Sequence, residues 1–128
     1  MDFLSSNSML MMEKSMGFLW TKQAALSDNI ANAETPNYKT KVVTFEENLR
    51  EKLESAVRGR APRSKVREIL NESEFAVVDA PDITRMDDNG VNATEQMVEM
   101  VRNAYQLRYV MSSISSDLAT LRTAVRGQ

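Results

Sequence analysis

Leu26-Ser-Asp-Asn-Ile-Ala-Asn-Ala-Glu-Thr-Pro-Asn-Tyr-Lys39 is the stretch in which an apolar helical stripe stops and charged, irregular sequence begins. Leu26, Ile30 and Ala33 stand four and three apart, on one face of a helix. Pro36 has no N–H and drives Thr35 out of the helical region, so the helix is expected to stop at or just before Glu34. Pro36-Asn37 then reads as the middle of a β-turn: Pro sets φ at its second position and Asn tolerates φ > 0 at its third. The Tyr38 ring should pack at an edge with its hydroxyl near water.

Before this exit, Met9, Met12, Met16, Leu19, Gln23, Leu26, Ile30 and Ala33 step by three and four, the rhythm of a coiled-coil seam with one polar member. Phe18 and Trp20 lie off the seam and give the helix a second apolar edge. That edge fits a long helix packed inside its own domain, or one serving several neighbouring helices, and composition does not separate the two. At the other end Asn92-Ala-Thr-Glu95 is close to a capping box. The helix it opens carries an apolar stripe through Met97, Val101, Ala104, Leu107, Met111, Ile114, Leu118, Leu121 and Val125, and Gly127 is its natural end. Tyr105 and Tyr109, four apart, flank this stripe and read as core-edge packing.

The middle differs in kind, holding 22 of the 34 charged residues between positions 34 and 91. Phe45 to Val57 reads as an amphipathic surface helix with Phe45, Leu49 and Leu53 inward and Thr44 as its expected N-cap, while Glu46 and Glu47 suit its positive end. Arg58 to Arg67, with five cations, one Gly and one Pro, reads as a mobile loop. Phe75-Ala-Val-Val78 is the β-like run, short enough for one strand of a small hairpin with Lys41 to Thr44. Asp82, Asp87, Asp88, Asn89 and Gly90 invite a calcium-loop reading, which fails because Arg85 and Gln96 would fall where carboxylates are needed; Asp88-Asn-Gly90 reads as a turn.

The 128 residues suffice for one core. The expected fold is mainly α: long N- and C-terminal helices paired as an antiparallel hairpin or coiled coil, burying both stripes, with the insert at the far end. Segments 1–34 (N-terminal helix), 35–91 (charged insert with turn, short helix and loop) and 92–128 (C-terminal helix) form one structural unit. With no His and no Cys, the commonest general base, metal ligands and thiolate chemistry are missing, so no catalytic, metal or cofactor site is expected. A net charge of -2 gives no electrostatic reason for nucleic acid, even at the basic 58–67 run, which lacks interleaved aromatics and has glutamates beside it. No run approaches the ~20 apolar residues of a membrane span, and the first residues lack the pattern of a cleavable signal peptide. Eight of the nine methionines lie in the charge-poor ends, where adaptable side chains suit changing neighbours.

Asn29, Ile30, Ala31, Asn32, Thr35, Pro36 and Tyr38 resemble the N-terminal signature of the bacterial flagellar axial proteins, the rod, hook and hook-associated subunits. Asn37 departs from it, standing where that family usually has Gly; both tolerate φ > 0. The short length, and Tyr38-Lys39 running through Val42 and Phe45 into a Glu/Leu helix, narrow the likeness to the basal-body proximal rod proteins. The resemblance implies a structural subunit of a hollow helical tube that transmits torque and passes export substrates. It implies export by the flagellar type III apparatus without a cleaved signal, and a place in the rod across the periplasmic space. Implied partners are other rod subunits, basal-body ring and export-gate proteins, and further copies of the chain. Under it, the two terminal stripes become assembly seams. The competing reading is a cytoplasmic coiled-coil adaptor, which has no need of so specified a corner after its first helix.

Overall fold

A computed structural model describes residues 6–45, 47–80 and 91–127. Along the chain run α1 (Asn7–Ala31), β1 (Lys41–Phe45), α2 (Glu47–Arg58), α3 (Arg63–Glu72), β2 (Phe75–Asp79) and α4 (Ala93–Arg126). The hydroxyl of Ser6 caps α1 by accepting the Met9 N–H at 3.2 Å. The helix stops at Ala31, three residues short of Glu34. The side-chain amide of Asn32 turns back to the Asp28 carbonyl at 2.8 Å, and the Thr35 hydroxyl donates to Asn32 Oδ1 at 3.2 Å. These local bonds replace further helical ones before Pro36 is reached.

Helices α1 and α4 pack as an antiparallel pair. Asn29 meets Gln96, Gln23 meets Asn103, and Ser15 and Phe18 share a groove with Gln106 and Val110, so one helix is read downward as the other is read upward. Asn92 caps α4, its side chain accepting the Glu95 N–H, and Gly127 ends it at φ 69. On α1 the pairing covers the expected seam: Leu19 and Leu26 are buried, Met9, Met12, Met16 and Ile30 half-buried, and Ala33 is half-buried in the turn that follows.

On α4 it does not. Met97, Val101, Ala104, Met111, Leu118 and Val125 remain exposed, and of the expected stripe only Leu107, Ile114 and Leu121 are half-buried. The least exposed face is Gln96, Met100, Asn103, Leu107, Val110 and Ile114, an equally regular four-three rhythm that admits two amides. The amides win this face because each finds a partner on α1.

The insert is not at the far end of the hairpin. Strand β1 leaves the corner and runs back beside α1, from the level of Asn29 to that of Phe18, pairing antiparallel with β2 in the register Lys41↔Asp79 to Phe45↔Phe75. Phe18 meets Phe75 edge-to-face, with centroids 6.5 Å apart. Lys14 donates to the Ser73 carbonyl, and Asn7 to that of Arg63. The Phe18 side of the second apolar edge of α1 therefore serves the chain's own insert, while Trp20 stays 58% exposed.

Thr44 and Phe45 belong to β1, so α2 starts later than expected, and a cap at residue 46 lies outside the described residues, as do the acidic turn at 82–90 and its calcium reading. The basic stretch 58–67 is not one loop. Pro62, extended at φ -62 and ψ 153, stands just before α3, where its missing N–H costs no helical bond. Val66, Ile69 and Leu70 then share the inward face, with Leu70 buried. Between α2 and α3 the Ala61 N–H reaches the Ala56 carbonyl and the Arg60 N–H that of Val57, which places Arg60 at the left-handed position of a Schellman turn, φ 49. Gly is the residue that this position favours. Arg60→Gly should therefore raise stability by about 1 kcal/mol, seen as a higher urea midpoint at unchanged slope; a lower midpoint would show that the Arg60 side chain compensates the strain.

Candidate assembly site

At the end of α1 the side chain of Asn29 is fully buried and makes four hydrogen bonds. Its Nδ2 donates to the Lys41 carbonyl at 2.8 Å and to Gln96 Oε1 at 2.9 Å. Its Oδ1 accepts from the Lys41 N–H at 2.8 Å and from the Tyr38 hydroxyl at 3.4 Å. The carboxamide pairs with Lys41 as a neighbouring strand would, closing the edge of β1 while also tying α1 to α4. Tyr38 is half-buried and its hydroxyl faces this amide rather than water.

The turn that makes this return possible runs from Thr35 to Tyr38, whose N–H reaches the Thr35 carbonyl at 3.4 Å. Asn37 sits at φ 59, the left-handed third position of a type II turn whose second position is Pro36. Asn37→Gly should be nearly silent, whereas Asn37→Val should cost about 1–2 kcal/mol because a β-branched side chain resists that region. Thermal unfolding of the two variants checks this, and equal midpoints would make the corner a passive linker. Of the remaining motif residues, Ala31, Thr35, Pro36 and Asn37 are exposed and Ile30 and Asn32 half-buried; the side chains brought into direct contact are Asn29 with Tyr38 and Asn32 with Thr35.

Two ion pairs flank the corner. Lys41 Nζ lies 2.9 Å from Asp28, and this hydrogen bond and charge raise the ammonium's pKa above its ordinary value. Lys22 lies 3.1 Å from Glu99 across the helix pair, and its hydrogen bond and charge hold the Glu99 carboxyl below the usual range. The Glu99 contribution is thus present above the pKa of an unfolded carboxylate and lost as pH falls through the lowered value. That of Lys41 is present below the pKa of an unfolded lysine and lost as pH rises through the raised one.

A second polar layer lies further along the pair. Asn103, fully buried, donates from Nδ2 to Gln23 Oε1 at 2.7 Å and to the Leu19 carbonyl at 3.0 Å. Gln96 and Asn103 were absent from the expected sites because a search for apolar rhythm counts amides as interruptions; the polar Gln23 inside the α1 seam was the available signal for a matching amide on α4.

Outside the pair, α4 presents Met97, Val98, Val101, Tyr105 and Tyr109 to solvent, with Val101 57% and Tyr105 69% exposed. Val98, Val101, Tyr105 and Tyr109 follow one another by three and four, on the side of α4 turned away from Asn103. Beside this face, Trp20, Ala104, Leu107, Arg108 and Met111 line an open groove between α1 and α4. Apolar exposure along one helix face makes this a candidate interaction surface. Among the described residues no group of three His, Cys, Asp or Glu side chains could hold a metal, and no helix is long and apolar enough to cross a membrane.

The sequence profile of the family described as "Flagella basal body rod protein" matches residues 20–39, from Trp20 through the Asn29 corner to Lys39. The chain is 26% identical over 128 residues to the flagellar basal body rod protein FlgB of Bacillus subtilis (strain 168), covering 97% of each chain. It is 29% identical over 113 residues to the flagellar basal body rod protein FlgB of Aeromonas hydrophila, covering 80% of each.

Proposed function

We infer that this chain, a flagellar basal body rod protein, is a structural subunit of the proximal rod that assembles with other axial proteins and with copies of itself into a hollow helical tube. The observation that carries the reading is the apolar face of α4, which remains open after α4 has paired with α1. Unlike surfaces on one chain, such as this face and the Trp20 groove, join copies head to tail; where the rotation does not close, the contacts propagate as a helix. Such a tube transmits torque through its side-by-side contacts and leaves a channel for export substrates. The tied corner supports this role by fixing the angle between the helix pair and the insert, so that neighbours meet the same shape at every position.

The reading places the chain in the rod across the periplasmic space, exported without a cleaved signal and in contact with ring and export-gate proteins at the rod base. It assigns no catalytic, metal or cofactor role and no nucleic-acid or membrane-inserting one. The cytoplasmic adaptor has no support from the relatives, which are rod proteins matched over 97% and 80% of the chain. The test is to purify basal bodies from cells carrying a tagged chain. Recovery of the tag in the rod fraction at a fixed ratio to other rod subunits is expected, and a tag confined to the cytoplasm would overturn the reading.

A further inference from the structure

The small sheet of the insert is closed along one edge and open along the other. Ala80 donates its N–H to the Thr40 carbonyl at 2.7 Å, so in the register Lys41↔Asp79 to Phe45↔Phe75 the residues that bond between the strands are Val42, Thr44, Ala76 and Val78. The N–H and C=O groups of Lys41, Val43, Val77 and Asp79 point away from this ladder. On the β1 side those of Lys41 are taken by the Asn29 carboxamide, and Val43 is buried. On the β2 side, no group among the described residues bonds to the outward N–H or C=O of Val77 or Asp79. Ala76, Val77, Val78 and Asp79 are all exposed, Val77 by 50%. A free edge strand is ordinarily blunted by a lysine, a proline, a bulge or a covering element. Phe75-Ala-Val-Val-Asp79 contains no lysine or proline, its register is unbroken, and its centre is two β-branched residues.

The charge around this edge says what can occupy it. Glu74 stands just before β2 and Asp79 ends it; both are exposed, and neither forms a salt bridge among the described residues. The lysines that approach these ends are engaged elsewhere, Lys14 by the Asn71 and Ser73 carbonyls and Lys41 by Asp28. A second β2 is a poor occupant. Paired antiparallel about Val77, it would bring Asp79 of one copy within a residue of Glu74 of the other at both ends, and like charges so placed destabilise a strand pair. A strand with basic ends meets opposite charge at both.

We propose that the outer edge of β2 is a docking site for an extended segment of another protein, β-branched in its middle and flanked by lysine or arginine, which adds to the sheet as a third strand. Ladder bonds to Val77 and Asp79 hold the segment, Val77 and Val78 receive its side chains on the two faces of the sheet, and Glu74 and Asp79 select its basic ends. The site belongs to the insert, and neither its open edge nor its charge depends on the rod reading.

The probe is a fluorescent nine-residue peptide, valine-threonine-valine-threonine-valine with two lysines on each side, titrated onto the full-length isolated chain. Saturable binding by anisotropy is expected. Hydrogen exchange at the Val77 and Asp79 amides should slow at least tenfold at saturation, with little change at Ala76 and Val78, which already bond to β1. The same peptide with glutamate in place of lysine should bind at least tenfold more weakly. Val77→Pro removes an outward N–H without breaking a bond to β1, so it should leave the chain folded and weaken binding of the lysine peptide at least tenfold. If that variant loses its fold, Glu74→Lys combined with Asp79→Lys, both at exposed positions, should reverse the preference between the two peptides. No binding of the lysine peptide, binding without protection of Val77 and Asp79, or equal affinity for the two peptides would overturn the proposal. So would protection of Val77 that rises with the concentration of the chain alone, which would make a second copy the occupant.

Discussion

Asn29→Ala is expected to lower the stability of the isolated chain by about 3 kcal/mol, a shift of roughly 10 °C in midpoint for a domain of this size. The size follows from what is left behind rather than from the four bonds themselves. With the carboxamide gone, the N–H and carbonyl of Lys41 and the Oε1 of Gln96 lose a partner in a place where Asn29 itself had no solvent exposure. Each such group, buried and unsatisfied, costs about 1–3 kcal/mol, and some relaxation toward water brings the sum down. Asn29→Asp should be nearly as damaging. It keeps the acceptor for Lys41 N–H and the Tyr38 hydroxyl but turns a charged oxygen toward the Lys41 carbonyl and Gln96 Oε1. Equilibrium urea unfolding of both variants is the check, and a loss below about 1 kcal/mol for either would mean that β1 and α4 are held to α1 by other contacts.

The position of Asn29 shows where reading the sequence stops. Its place one residue before Ile30 on α1 was legible, as were the Pro36-Asn37 turn and the tolerance of Asn37 for positive φ, because each depends on residues within a turn of one another. The helix, by contrast, ends three residues before the expected Glu34, because the Asn32 side chain takes the Asp28 carbonyl. That the strand beginning twelve residues later returns to bond with the Asn29 side chain, and that Gln96 closes the far side, are non-local facts with no periodic trace. The hairpin of long helices was legible for the same reason as the corner: a four-three rhythm survives over many turns. The rotation of α4 was not, since two overlapping rhythms on one helix are separated only by what faces them. The missed helix α3 fails differently. Five cations between Arg58 and Arg67 looked like a solvated loop, and the solvent side of a short surface helix has the same composition. The fold-back of the insert depended on Phe18 and Phe75 recognising each other across 57 positions, which no local pattern announces.

The burial pattern separates substitutions that unfold the subunit from those that isolate it. Leu26 lies on the expected seam and is buried between the chain's own elements, so Leu26→Asp should cost several kcal/mol of folding stability and lose assembly only as a consequence. Val101→Asp combined with Tyr105→Asp should behave in the opposite way. Both positions are more than half exposed, and substitutions at such sites usually change stability by about 0.5 kcal/mol or less, so the double variant should keep the melting point and helix content of the original. If the outer face of α4 is covered by a neighbour in the rod, the same two changes remove two buried apolar side chains, worth about 1.5–3 kcal/mol each, and bring two carboxylates into the contact. A loss of 4 kcal/mol or more at every repeated contact, close to a thousandfold in affinity, is enough to prevent a tube from forming. The double variant should therefore be made and folded normally, fail to co-sediment with other rod subunits, and leave cells non-motile. Normal motility with a fully folded double variant would place the subunit contacts elsewhere, and the Trp20 groove on the adjoining side of the helix pair would be the surface to alter next.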